Sequence, residues 1–145
     1  MKKLFVLFYA LMCLVTLQAQ KVTLQDVANG TYRAQSIQGL KPMLDGEHYT
    51  QISKDHKRIV KYSFKTGKEV ATIFDVATAR NHKLKNFDDY IMSPDESLIL
   101  IQTETKPIYR RSFTAVYYIY NVRNRTLEPL SNNGPQQVPL FSPDS

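Results

Sequence analysis

The chain has 145 residues, 43% of them hydrophobic and 22% charged, which is the balance of a chain that buries a core rather than of a disordered or fibrous one. Nineteen Lys and Arg against 13 Asp and Glu give a net charge of +6. One cysteine and three histidines exclude a disulfide-rich scaffold and a cysteine-based zinc site.

Lys2 and Lys3 precede an apolar run over residues 4–17, interrupted only by Thr16, and then Gln18-Ala19-Gln20. This charged start, apolar stretch and small residue predict a secretory signal peptide over residues 1–19, cut after Ala19. Leu17 is larger than is usual two residues before a cut, so the boundary is set to within a residue or two. The run is shorter than the roughly 20 residues that span a bilayer, and no stop-transfer pattern follows. No integral membrane span is therefore expected after cleavage, and the destination is the periplasm, the cell surface or the medium. Cys13 follows Met12, whereas an acylated lipoprotein cysteine follows Gly, Ala or Ser, so it reads as an inert leader residue. The expected mature chain, residues 20–145, carries 17 basic and 13 acidic residues and no cysteine.

Thr23, followed three residues later by Asp26, predicts a short capped helical turn ending near Asn29 and Gly30. After it the β signal dominates. Strands are predicted at 48–53, 59–64, 69–74, 90–93, 98–103, 115–122 and 126–130, each short, rich in Ile, Val, Tyr, Phe and Thr, and bounded by polar turns.

A repeat runs through these elements. Ile52-Ser53-Lys54-Asp55, Met92-Ser93-Pro94-Asp95 and Phe141-Ser142-Pro143-Asp144 share an apolar residue, Ser, a variable position and Asp, with the serines 40 and 49 residues apart. Ser and Asp side chains can hydrogen-bond a turn's own backbone, and Pro at the second position presets φ, so each copy closes a hairpin. A weaker match pairs residues 62–68 with residues 120–126, each an aromatic strand end running into a basic turn. The second unit is then longer, either because the first lacks a strand or because the second carries a long loop around residues 106–111.

Short strands in units of 40 to 50 residues predict an all-β fold, a partial β-propeller of about two blades plus the start of a third. The alternative is a β-sandwich whose turns share Ser and Asp. A closed ring needs about four blades or more. The chain is accordingly expected to be the front part of a longer protein, with residues 20–145 as an incomplete propeller domain.

The residues resemble the amino-terminal region of the prolyl dipeptidyl peptidase IV family, serine exopeptidases that join a β-propeller to a carboxy-terminal α/β-hydrolase domain. The carriers are residues 23–27 with Gly30-Thr31-Tyr32, residues 43–49, and Asp89-Tyr90-Ile91-Met92-Ser93-Pro94-Asp95. The narrowest is Tyr109-Arg110-Arg111-Ser112-Phe113-Thr114-Ala115 running into Tyr118-Ile119-Tyr120. For an intact parent the resemblance implies release of Xaa-Pro or Xaa-Ala dipeptides from peptide amino termini. It also implies no cofactor, a hydrolase domain as the missing partner, and allows a homodimer. Arg110 is the substrate-binding residue it implies, donating to a backbone carbonyl of the bound dipeptide, while Arg111 stands where the pattern is looser.

No catalytic residue is expected in this chain. The glycines stand at 30, 39, 46, 67 and 134, and no Ser lies between two of them at the spacing of a Gly-x-Ser-x-Gly elbow. His48, His56 and His82 have no companions at metal-ligand spacing, so no metal site is expected. Asp88 with Asp89 and Asp95 with Glu96 are adjacent pairs whose side chains point apart, read as solvated turn residues. Asn29-Gly30-Thr31 and Asn124-Arg125-Thr126 match a glycosylation sequon that is frequent by chance. Lys54, Lys57, Arg58, Arg80, Lys83 and Lys85 are scattered over separate turns, which does not suit nucleic acid. The rival function from another class is a non-enzymatic exported propeller used as a binding module.

Overall fold

The computed structural model describes residues 22–34 and 39–143. The proposed leader, and Asp144 of the third Ser-Pro-Asp turn, lie outside the described residues. The chain divides into two compact units, Met1–Ser36 and Ile37–Ser145.

In the first unit, α1 (Leu24–Ala28) has five residues, too few to hold a helix by propensity alone. Its cap does the work. Asp26 N–H donates to Thr23 Oγ1 at 3.2 Å, and Asp26 Oδ2 accepts from Thr23 N–H at 3.0 Å and from the hydroxyl at 2.6 Å. These Thr23 bonds hold the Asp26 carboxyl below its ordinary pKa. The helix stops at Asn29, followed by Gly30 at φ +70°, as the sequence predicts.

The second unit holds two sheets. In the first, β1 (Lys41–Pro42), β2 (His48–Ile52), β3 (Arg58–Ser63) and β4 (Glu69–Asp75) pair antiparallel in chain order. The second contains β5 (Arg80–Asn81), β6 (Asp89–Met92), β7 (Leu98–Pro107), β8 (Phe113–Asn121) and β9 (Thr126–Pro129) in the order β5-β9-β8-β7-β6. Its pairs are antiparallel except β5 with β9, which is parallel. The fold is all-β, with two blades of a partial propeller and no closed ring among the described residues. All seven predicted strands form, with ends displaced by a few residues. The two missed strands, β1 and β5, are two residues long and have no alternation to read.

The main core lies between the blades. Ile59 and Phe74 from the first meet Tyr90, Ile99, Ile101, Tyr120 and Leu127 from the second, with Val76, Ala79 and Phe87 contributed by the connection. Phe74 packs edge-on against Phe87 (centroids 5.4 Å apart, 79°) and Tyr120 (4.8 Å, 77°), the arrangement that sets ring edges against ring faces. β7 reads Leu-Ile-Leu-Ile because it is covered on both faces. Ile99 and Ile101 face the first blade, while Leu100 faces Ala115, Tyr117, Phe113, Leu130 and Phe141 on the other side. Tyr90 OH donates to buried Thr50 Oγ1 at 2.6 Å, and burial pushes the Tyr90 phenol up to about 12.

Both described Ser-x-Asp turns have the same bonds. Ser53 Oγ donates to Asp55 at 2.5 Å and accepts from Arg58 N–H at 2.9 Å. Ser93 Oγ donates to Asp95 at 2.6 Å and accepts from Leu98 N–H at 2.9 Å. The next residues, His56 (φ 55°) and Glu96 (φ 60°), are left-handed, a conformation that favours glycine. Each reaches beyond its own blade: His56 Nδ1 lies 3.1 Å from Phe87 O in the connection, and Glu96 Oε1 accepts from Leu44 N–H of the first blade at 2.6 Å.

The weaker repeat alignment is corrected. Residues 62–68 turn from β3 into β4, whereas residues 120–126 turn from β8 into β9, one strand later in the blade. The structural counterpart of the second turn begins at Phe74. Ala77 N–H donates to Asp75 Oδ1 as Arg123 N–H donates to Asn121 Oδ1, and Ala79 N–H donates to Asp75 O as Arg125 N–H does to Asn121 O. The aromatic-then-basic pattern misled because turns on two different strands share it.

Candidate functional site

β6 stops pairing with β7 at Asp89 opposite Gln102, but β7 and β8 continue together to Pro107 opposite Phe113. The two strands thus leave the blade as an arm. Its tip is closed by Ser112 O, which accepts from Ile108 N–H at 2.9 Å and Tyr109 N–H at 3.1 Å. Arg110 and Arg111 sit on this tip, exposed, beside Tyr109, which is 83% exposed. Among the described residues no carboxylate pairs with either guanidinium. Among the described residues no hydrogen bond is made by the Arg110 guanidinium, a planar set of N–H donors.

The arm is not a loose hairpin. On its β8 edge Ala115 and Gln136 exchange both backbone bonds, at 3.0 and 2.8 Å, and Leu130 N–H donates to Tyr117 O at 2.8 Å. On its β7 edge the ladder shifts between Thr103 and Lys106, where Glu104 has φ 52°. There Asp88 Oδ2 accepts from Thr105 N–H at 2.9 Å and from its hydroxyl at 2.7 Å. Asp88 and Asp89 do point apart, but neither is a merely solvated turn residue. Asp89 pairs with Lys41 at 2.7 Å, and the same ammonium bonds Tyr90 O and lies 4.0 Å from the Tyr90 ring centroid. Sequence reasoning missed Asp88 and Thr105. The only signal was the polar Thr-Glu-Thr that follows β7's apolar run.

The histidines do other work. His48 bonds Asp45 at 2.7 Å, and Lys61 reaches the same carboxylate at 3.1 Å. Desolvation works to raise the Asp45 carboxyl, but these bonds and the N–H groups of Glu47 and His48 outweigh it and hold it well below the usual range. His82 packs against Tyr118, ring centroids 5.7 Å apart. No group of three or more His, Cys, Asp or Glu that could hold a metal ion occurs among the described residues. Open grooves of about 500 Å³ lie between the blades, one lined by Met43, Lys61, Asp75, Met92, Glu96 and Arg125 among others; Arg110 is not on it. Among the described residues no helix is long and apolar enough to cross a membrane.

Residues 93–145 match the family model described as the dipeptidyl peptidase IV (DPP IV) N-terminal region. The chain is similar to prolyl endopeptidase FAP of Homo sapiens, 30% identical over 103 residues that cover 71% of this chain and 13% of that protein. It is also similar to a probable dipeptidyl-aminopeptidase B of Emericella nidulans, 43% identical over 56 residues, covering 37% of this chain and 6% of the relative. The crystal structure of Porphyromonas gingivalis dipeptidyl peptidase 4 superposes with a TM-score of 0.72 at 37% identity, over 86% of this chain and 18% of that one. The chain spans less than a fifth of the length of each protein it matches here.

Proposed function

Because the chain belongs to the dipeptidyl peptidase IV family as its N-terminal region, we propose that it is the substrate-binding and gating part of an exported serine dipeptidyl peptidase. In this reading residues 1–19 are the leader, residues 20–145 begin the propeller, and acylation belongs to an α/β-hydrolase domain elsewhere in the peptidase. The substrates are peptides with Pro or Ala second from the amino terminus, cleaved to Xaa-Pro or Xaa-Ala.

The single observation that carries the proposal is the arm, which holds the exposed Arg110 beyond the end of its blade. A dipeptide's first backbone carbonyl needs a directional donor that stays charged, and the planar guanidinium fork supplies one where a lysine would supply a point charge.

In the peptidase that contains this chain, Arg110→Ala should lower kcat/KM for an Xaa-Pro reporter by about 10- to 100-fold, the worth of a hydrogen bond from a charged donor at about 1.5–3 kcal/mol. Arg111→Ala should cost far less. Wild-type kcat/KM in the Arg110 variant would remove Arg110 from the site.

A further inference from the structure

We propose that Asp88 is a positioning residue for Arg110: its carboxylate fixes the bulge at which the β7–β8 arm leaves the blade, and so sets where the guanidinium is held. The clamp itself is a matter of the arm's geometry; its consequence for substrate rests on the reading of Arg110 given above.

The register shows why the bulge matters. Thr103 opposes Val116, and the next pair is Lys106 with Thr114, so β7 advances three residues while β8 advances two. One extra residue on one strand reverses the face that every later residue of that strand presents, and it bends the ribbon. Arg110 lies beyond this point, so its placement is inherited from the bulge.

Glu104 does not favour the bulge by itself, because φ 52° suits glycine or asparagine better. Nor does strand pairing hold the β7 side, since beyond Gln102 that edge has lost β6, and the outside partner that the arm keeps, Gln136, is on the β8 edge. Asp88 supplies what is missing. Its Oδ2 takes the Thr105 N–H and hydroxyl together; the Thr105 hydroxyl accepts from Gln102 Nε2 at 2.8 Å, and Gln102 Oε1 lies 3.3 Å from Tyr117 OH. The anchor is rigid on its other side. Asp88 N–H donates to Gln102 O at 2.8 Å, and the preceding Phe87 is buried against Phe74. A continuous path therefore runs from the core between the blades through Phe87, Asp88 and Thr105 to the arm.

The test compares Asp88→Ala, Thr105→Val and Thr105→Ser in the peptidase that contains this chain. Hydrogen exchange across residues 103–112 should quicken about tenfold in Asp88→Ala and rise in Thr105→Val, because a bond to a charged acceptor is lost. Thr105→Ser, which keeps both donors, should exchange as wild type. With an Xaa-Pro reporter, Asp88→Ala should raise KM roughly three- to tenfold with kcat nearly unchanged, the pattern for a weakened uniform contact. In an Arg110→Ala background it should raise KM no further. Unchanged exchange in Asp88→Ala overturns the clamp. Exchange that quickens while the Asp88 and Arg110 losses simply multiply overturns the positioning role, since the two residues would then act apart. Quicker exchange with wild-type kcat/KM in the Arg110→Ala variant also ends that role, but there the fault lies in the peptidase reading and the clamp itself stands.

Discussion

The two blades are built alike where they touch and differently where they end. Each turns on a Ser-x-Asp motif, places an aromatic ring at the core (Phe74 in the first, Tyr120 in the second), and follows it with an Asp or Asn that ties the next turn. The ring follows the turn serine by 21 positions in the first blade and by 27 in the second, and the excess is in the β7–β8 arm. Where the first blade closes β3 into β4 with a tight turn over residues 64–67, the second extends both strands past their neighbour. Shared parts serve packing, so a feature that only one blade has points to a task beyond packing.

The largest effect should come from breaking what the blades share. Phe74→Ala empties the space between Phe87 and Tyr120 and should destabilise the protein by about 3–5 kcal/mol, read as a lower urea midpoint. A loss below about 1 kcal/mol would mean that the blades do not depend on this packing. The turns come next. Ser93 is buried, whereas Ser53 is partly open to water that can replace a lost hydroxyl. Ser93→Ala should therefore cost about 1–3 kcal/mol and Ser53→Ala about 1 or less by the same measurement.

The same turns should make the protein sensitive to acid. Ser93, and after it the Ser97 hydroxyl and N–H, hold the Asp95 carboxyl at about 2, below its ordinary 3.8. The folded state thus binds this proton less readily than the unfolded chain, so the stabilisation is complete above about pH 4 and is lost as pH falls toward 2. Asp95→Asn should flatten that part of a plot of Tm against pH, and an unchanged acid limb would show that the turn carboxylate does not contribute to it.

The smallest effects separate the left-handed residues. Glu104→Gly relieves an unfavourable φ and should stabilise by roughly 0.5 kcal/mol, whereas His56→Gly gives up the bond to Phe87 O and should be near neutral. Equal gains at both positions would deny the His56 bond any value.

Much of the architecture is legible in the sequence because it is local. The cap at Thr23 and Asp26, the Ser-x-Asp turns and the doubly covered apolar run of β7 each lie within a few consecutive residues. Arg110 could be singled out only through its neighbours' resemblance to a family, since nothing in an Arg-Arg pair says that it sits at the end of an arm. The Asp88–Thr105 contact joins residues 17 apart and depends on a one-residue slip in the ladder, which leaves no periodic trace. The misplaced repeat alignment has the same root: an aromatic-then-basic pattern records a strand's end but not which strand it is.

The reach of His56 and Glu96 bears on how such a protein melts. The His56 side chain bonds a backbone group of the connection and the Glu96 side chain one of the first blade, so neither turn is complete until the segment across from it is in place. Stability then resides in the seams more than in the sheets, and opening one seam loosens the turns on both sides of it. A ring assembled from units of this kind behaves as a line of coupled neighbours, in which loss of order at one joint spreads to the next and partly opened forms are sparsely populated.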